Sequence, residues 1–202
     1  MTVKEIRSKL DQQKGRKLQV EKDLEAITNE LREQKSGLIR HEKAREIIRE
    51  VGLKTQQQLQ FHISDVVSSA LDAVFDNPYE LKVEFVQRRN KTECDLIFKR
   101  GELEIDPIEA SGVGAIDVAS FALRIASWSM MRPKTRNVII LDEPFRYLST
   151  NYQEQASAMI KEISQKLGIQ FIIVTHEETL TTNADKVFEV GIRKGISNVK
   201  EL

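Results

Sequence analysis

An α/β lobe behind a long helical arm is the fold this sequence predicts, and three observations carry that expectation. An apolar run, Val138-Ile139-Ile140-Leu141, leads straight into Asp142-Glu143 and is stopped by Pro144. A second apolar run, Gln170-Phe171-Ile172-Ile173-Val174-Thr175, ends in His176 and follows one helix-sized segment, Tyr152 to Leu167. Ahead of both, an N-terminal stretch carries apolar residues at alternating three–four spacing. Two strands joined through a helix read as a parallel βαβ unit. Parallel strands are covered on both faces, so they read as unbroken Val/Ile/Leu runs.

The arm comes first. Val3, Ile6, Leu10, Val20, Leu24, Ile27, Leu31, Leu38 and Ile48 fall on one seam, which Gln13, Lys17, Gln34, His41 and Arg45 share. A sustained heptad argues coiled coil, and roughly 50 residues at 1.5 Å each reach about 75 Å. Gly15 and Gly37 mark places for a bend or a register change. A helix packed on its own domain is the alternative, and the length disfavours it. Charges of both signs outside the seam suit a solvated helix pair. The expected division is an arm at residues 1–54 and a lobe at 55–202. Leu59, Ile63, Val66, Val67, Ala70, Leu71 and Val74 predict a second amphipathic helix, ended at Asn77-Pro78. Tyr79 to Val86 and Thr92 to Phe98 then alternate like a hairpin around Gln87-Arg88-Arg89-Asn90-Lys91. That basic turn could touch DNA phosphates, although a solvated turn is the better reading.

The chemistry gathers at the strand ends. Ligands of α/β folds bind in the crevice at the carboxyl ends of the strands. There Asp142 would hold Mg²⁺ and Glu143 would polarise the water that attacks a γ-phosphate. His176, at the end of a strand expected beside the Asp-Glu strand, can donate to a γ-phosphate oxygen. Upstream, Ala110-Ser111-Gly112-Val113-Gly114-Ala115 opens a helical run from Ile116 to Ala126. A Ser/Gly turn at a helix N-terminus exposes N–H groups to an anion. On its own, that turn is better read as a helix N-cap with a flexible approach.

In this order the features resemble the C-terminal half of an ABC-type P-loop ATPase head, in the branch of the SMC and SbcC-type proteins. That branch includes the eukaryotic double-strand-break-repair ATPase and phage recombination-endonuclease subunits. Ser111-Gly112-Val113-Gly114 matches the signature motif, Leu141-Asp142-Glu143-Pro144 the Walker B motif and His176 the switch histidine. Ser120-Phe121-Ala122-Leu123-Arg124 is similar to the end of the signature helix, and Thr175 to Val199 to the closing helix and β-hairpin. The resemblance covers roughly residues 80 to 202, and the coupled order of the motifs is more specific than any one of them. Three positions depart from the pattern: Val113 splits the glycine pair, Phe145 stands where a small polar residue is common, and Ser149 replaces the usual Asp of the D-loop.

The resemblance implies ATP and Mg²⁺ as cofactors, sandwiched between two heads. Asp142 would serve the metal through water, Glu143 would be the general base and His176 would sense the γ-phosphate. Ser111, Gly112 and Gly114 would face nucleotide on the opposite head. No G-x-x-x-x-G-K-[ST] occurs in the 202 residues, so nothing here wraps β- and γ-phosphates as a P-loop does. The expected partners are therefore an N-terminal P-loop lobe (on the same protein or a split subunit), a second identical head, a nuclease subunit and DNA. The implied role is the ATP-driven engine of a DNA repair or recombination nuclease complex, with this chain alone inactive. An SMC-like DNA tether without a nuclease is the alternative, and a non-catalytic interaction lobe is a third.

Composition sets bounds. Lys and Arg balance Asp and Glu at 31 each, so any DNA-binding groove must be local. The single cysteine, Cys94, excludes a disulfide framework and an intrachain Cys-x-x-Cys hook; it is expected as a buried small hydrophobe. His41 and His62 are read as structural. The sequence holds neither a signal peptide nor a membrane-length apolar run, so a cytoplasmic protein is expected.

Overall fold

The computed structural model describes residues 3–89, 91–110 and 112–202. They fall into two compact units, one ending at Thr55 and the other spanning Gln56–Leu202. The expected break between an arm helix and a second helix is absent: α1 runs as one α-helix, Val3–Val74. Gly15, Gly37 and Gly52 lie inside it, each in open space, so each costs helix propensity but meets no clash. In the first unit the seam residues are uncovered, from Val3 at 79% exposed to Leu31 at 52%. Lys17–Glu21 and Glu50–Lys54 add i,i+4 ion pairs on the exposed surface, worth a few tenths of a kcal/mol each at most.

In the second unit, the end of α1 turns its seam inward: Val67, Ala70, Leu71 and Val74 are buried. The helix ends ahead of Asn77-Pro78, and an antiparallel hairpin follows, β1 (Glu80–Arg88) against β2 (Lys91–Arg100). A short β3 (Leu103–Ile105) extends it. Both strands reach further into the expected basic turn than their apolar pattern suggested, and this absorbs Arg88. Its guanidinium meets Asp95 at 2.6–2.7 Å and Glu93 at 3.3 Å across the strands. Arg88 is therefore committed to carboxylates, and the hydrogen bonds from its guanidinium hold the Asp95 carboxyl below its ordinary value. Cys94 is exposed, not buried as expected. Only the Phe98 end of β2 reaches the core, and Cys94 sits on the half that runs past it.

A one-turn helix α2 (Pro107–Ala110) precedes α3 (Val113–Met130), which buries Ala115, Val118, Ala119, Phe121, Ala122, Ile125, Ala126 and Trp128. Then come β4 (Val138–Asp142), α4 (Thr150–Leu167) and β5 (Gln170–Val174), with β4 and β5 parallel in the register Val138↔Gln170 to Asp142↔Val174. Gly168 closes α4 in the left-handed conformation, φ 63°, where a Cβ would be strained. A 3₁₀ turn (Glu178–Thr181) is tied to α4 by Ser157, whose hydroxyl donates to the Leu180 carbonyl. The chain ends in a hairpin, β6 (Phe188–Arg193) with β7 (Ile196–Glu201). Among the described residues no helix is long and apolar enough to cross a membrane.

The parallel pair departs from expectation in one respect. Its apolar run is covered on one face only: Ile139 and Leu141 are buried, whereas Ile140 is 67% exposed and Val174 56%. Helices of this unit supply one layer of cover, with Phe121 of α3 meeting Phe171 at 5.8 Å, and among the described residues nothing covers the other face. Neighbouring residues of one strand therefore carry opposite energetic weight. Leu141→Ala should cost about 2–5 kcal/mol as a core truncation, and Ile140→Ala within about 0.5 kcal/mol as a surface change. Urea unfolding midpoints of the two variants check this, and equal losses would mean that the Ile140 face is covered after all.

Candidate functional site

Parallel pairing of β4 and β5 does not stop at the strand ends. The Glu143 amide donates to the Val174 carbonyl at 2.8 Å, one residue beyond Asp142, and His176 lies two residues past Val174. Glu143 and Phe145 both adopt positive φ, 46° and 61°, which costs non-glycine residues on the order of 1–3 kcal/mol each. The strain is held by burial: the Phe145 ring is 2% exposed and packs edge-on against Phe121, centroids 5.3 Å apart. A small polar residue at 145 would lack that anchor.

This turn brings Glu143 Oε2 within 2.8 Å of His176 Nδ1, and Glu177 Oε1 lies 3.3 Å from His176 Nε2. Glu143 Oε2 is buried and lies within hydrogen-bonding distance of the imidazole. That carboxylate raises the His176 pKa above the ordinary value, with Glu177 adding to the rise and Arg146 opposing it. Both ring nitrogens thus face acids, an arrangement that suits a doubly protonated imidazolium. Asp142 is exposed beside them, its carboxylate free of ion pairs among the described residues. No group of three His, Cys, Asp or Glu side chains there could hold a metal by itself. Mg²⁺ does not need one, since it binds through one or two carboxylates together with waters and substrate phosphates. Asp142 has the chemistry and freedom for that share.

Ser111 lies outside the described residues. Gly112 is the N-cap of α3, with φ −61° and ψ 140°, and makes no side-chain cap bond. Helix begins at Val113, three residues earlier than the sequence suggested, so Gly114 belongs to the first helical turn. A Cβ on Gly114 would lie 3.1 Å from both Leu148 Cδ1 and the Tyr147 carbonyl, so the missing side chain lets α3 pack against the segment after Glu143. Asp117 completes that joint by accepting the Tyr147 amide at 3.1 Å. Among the described residues no hydrogen bond or ion pair joins Gly112 or Gly114 to Glu143 or His176. The two groups are linked through Tyr147-Leu148.

Sequence reading missed Asp117, Glu177 and Arg146. Glu177 could have been found, being adjacent to His176. Asp117 and Arg146 have no local signature, because their partners lie across the fold.

The fold has parallels among solved structures. An SMC ATPase from a study of ATP-driven dimerisation and DNA-stimulated activation superposes with a TM-score of 0.59 at 21% identity, covering 74% of this chain and 88% of that one. The fold is that of an ABC-type ATPase head. An SMC head bound to the C-winged helix domain of ScpA matches at 0.59 and 20% identity, over 76% of this chain and 45% of that one. A Pyrococcus furiosus SMC head with an extended coiled coil, bound to the C-terminal domain of ScpA, matches at 0.56 and 20%, over 76% and 36%. In sequence, the lipoprotein-releasing system ATP-binding protein LolD of Shewanella frigidimarina is 29% identical over 123 residues, 57% of this chain and 47% of that protein. LolD of Francisella tularensis subsp. holarctica is 35% identical over 54 residues, 27% and 23% of the two. The chain spans less than half the length of these curated relatives. No protein-family model matches it.

The His176 contact has a pH signature. A histidine with a raised folded pKa keeps its favourable contact in full below the ordinary value of 6.5 and loses it as pH rises through the raised value. Proton NMR titration of the His176 ring should give a midpoint above 6.5 in the wild type, moving down toward that value in Glu143→Gln. A midpoint indifferent to Glu143→Gln would show that the contact does not form in solution.

Proposed function

We propose that this chain is the C-terminal lobe of an ATP-hydrolysing head of the SMC/SbcC type, carrying one arm of a coiled coil, and that it drives a DNA repair or recombination nuclease complex. The arm would be residues 1–54 and the lobe 55–202. The observation that carries the reading is the convergence of Asp142, Glu143 and His176 at the carboxyl ends of two parallel strands. The likeness to ATPase heads supports it.

In this reading Asp142 would hold Mg²⁺ through water, and the chemistry the ion would supply there is charge neutralisation at the nucleotide phosphates. Glu143, buried at one oxygen, takes the proton of the attacking water. His176 leaves Glu143 to donate to the γ-phosphate, which frees the base when nucleotide arrives. Ser111, Gly112 and Gly114 act on the nucleotide of a second head. A lobe bearing a P-loop supplies the remaining phosphate contacts. The open Ile140 and Val174 face of the sheet favours such a lobe as its cover, because exposed apolar patches of this kind mark protein contacts. The nuclease subunit, DNA and the cytoplasm complete the setting.

A DNA tether without a nuclease is the second reading, favoured by the structural neighbours that are SMC heads bound to ScpA. The two part on whether a complex rebuilt from the whole protein cuts DNA in an ATP-dependent manner.

Two measurements test the core of the proposal. The pure 202-residue chain should show no Mg-dependent ATP turnover; clear turnover would sink the half-head reading. In a head reassembled with its P-loop lobe, Glu143→Gln should lower turnover by roughly 10²–10⁴-fold while ATP binding persists, since an amide keeps the carboxylate's shape but cannot accept the proton. Near-normal turnover would place the base elsewhere.

A further inference from the structure

From Val118 to Leu141 the chain carries four cations, Arg124, Arg132, Lys134 and Arg136, and no acid. Charge is thus segregated here, in a chain that balances 31 cations against 31 acids. All four side chains are exposed. Arg124 shares the solvent face of α3 with Ser120 and Ser127, and the other three lie in the loop 131–137 between α3 and β4. Other cations of the unit are taken up inside it: Arg88 pairs with Asp95, Lys82 with Glu104, and Arg100 stacks 3.6 Å above the Tyr79 ring. Among the described residues none of the four makes an ion pair.

The loop is held without acids. Arg132 Nη1 donates to the Met131 carbonyl at 2.9 Å, and Lys134 Nζ lies 5.0 Å from the centroid of the Trp128 ring. A helix C-terminus favours one cation nearby, and Arg132 meets that need for α3. Arg124 and Arg136 answer no such requirement.

Cations gathered without an acid fit a polyanion, either an acidic protein or a nucleic acid. Protein interfaces have an apolar core depleted in Lys, and residues 132–137 offer no large apolar side chain. Arg and Lys beside hydroxyls such as Ser127 and Thr135 are instead the groups that contact phosphates. A single strand would need exposed aromatic rings on which to stack its bases, yet Trp128 is only 7% exposed. The backbone of a duplex remains.

We propose that Arg124 and the loop 131–137 bind the phosphate backbone of double-stranded DNA without reading its sequence. The surface lies at the end of β4 away from Asp142, about 13 Å from that acid at roughly 3.3 Å per residue. The choice of DNA over RNA rests on the proposed function. No nucleotide takes part in the binding, so its failure would leave the half-head reading standing, and the reverse holds too.

The test follows the 202-residue chain by fluorescence anisotropy with a labelled DNA duplex of mixed sequence, without ATP, across a salt series. Saturable binding that weakens with salt is expected. Arg132→Gln, Lys134→Gln and Arg136→Gln combined should weaken it at least about tenfold and flatten the slope of log K against log salt by roughly 2–3. Arg132→Lys with Arg136→Lys keeps the charge and should stay within about threefold of wild type, since backbone contacts need charge above all. Should the triple variant melt early, Arg124→Gln on the helix surface carries the test, with a slope change of about 1. Lys9→Gln, Lys14→Gln and Arg16→Gln combined, on the arm, should leave affinity unchanged. No saturable binding, wild-type affinity in the uncharged variants, or an equal loss from the arm variant would overturn the proposal. So would tighter binding of a single strand, of duplex RNA or of polyglutamate than of the DNA duplex.

Discussion

Parallel hydrogen bonding between β4 and β5, carried one residue past the strands by the Glu143 amide and the Val174 carbonyl, is the constraint on which the site depends. It matches the ends of two segments separated by a whole helix, and it places the first residue after Asp142 opposite the approach to His176. Without that extra bond the left-handed turn at Glu143 would have little to hold it, since the conformation is intrinsically unfavourable for a side chain with a Cβ. Phe145 supplies the second anchor. Its ring fills space beside Phe121, so packing in the core maintains strain at the surface. Local strain held by surrounding structure is common where a side chain must be aimed, and here the aimed side chain is Glu143.

The same segment carries the contact with α3. After Phe145 the chain passes through Tyr147 and Leu148, which rest on Gly114 and are pinned by Asp117. The carboxylate end and the glycine end of the lobe are therefore mechanically joined through about five residues. Packed interiors transmit small displacements well.

Solvent exposure divides the unit in a way that bears on function. The hydrophobic core under α3 and α4 is continuous, yet Ile140, Ile172 and Val174 on one face of the sheet stay open, as do Phe188, Val190 and Ile192 of the terminal hairpin. A two-stranded hairpin has little stability alone. Apolar residues placed alternately on its strands fit a surface that expects to be covered.

Much of this was legible in the residues alone, because local order encodes it. The apolar runs ending in Asp142-Glu143 and in His176 announced two strands, and the helices between and before them followed from length and periodicity. A seam of apolar residues announced the long helix, although Leu59 to Val74 was expected as a separate element; periodicity marks a helical face but not where one helix ends and another begins without a breaker. Contacts between distant segments were not legible. Cys94 looked buried because strand alternation says which face a residue takes, not how far the core extends beneath it. Arg88 looked like a free cation until pairing set it across from Asp95. Arg100 on Tyr79, Asp117 on Tyr147 and Glu143 against His176 all depend on the register and packing of segments far apart in the chain. Sequence determined which chemical groups stand at the ends of which elements; only the tertiary structure decided which of them meet, because proximity across a fold is set by the shared core and not by any local pattern.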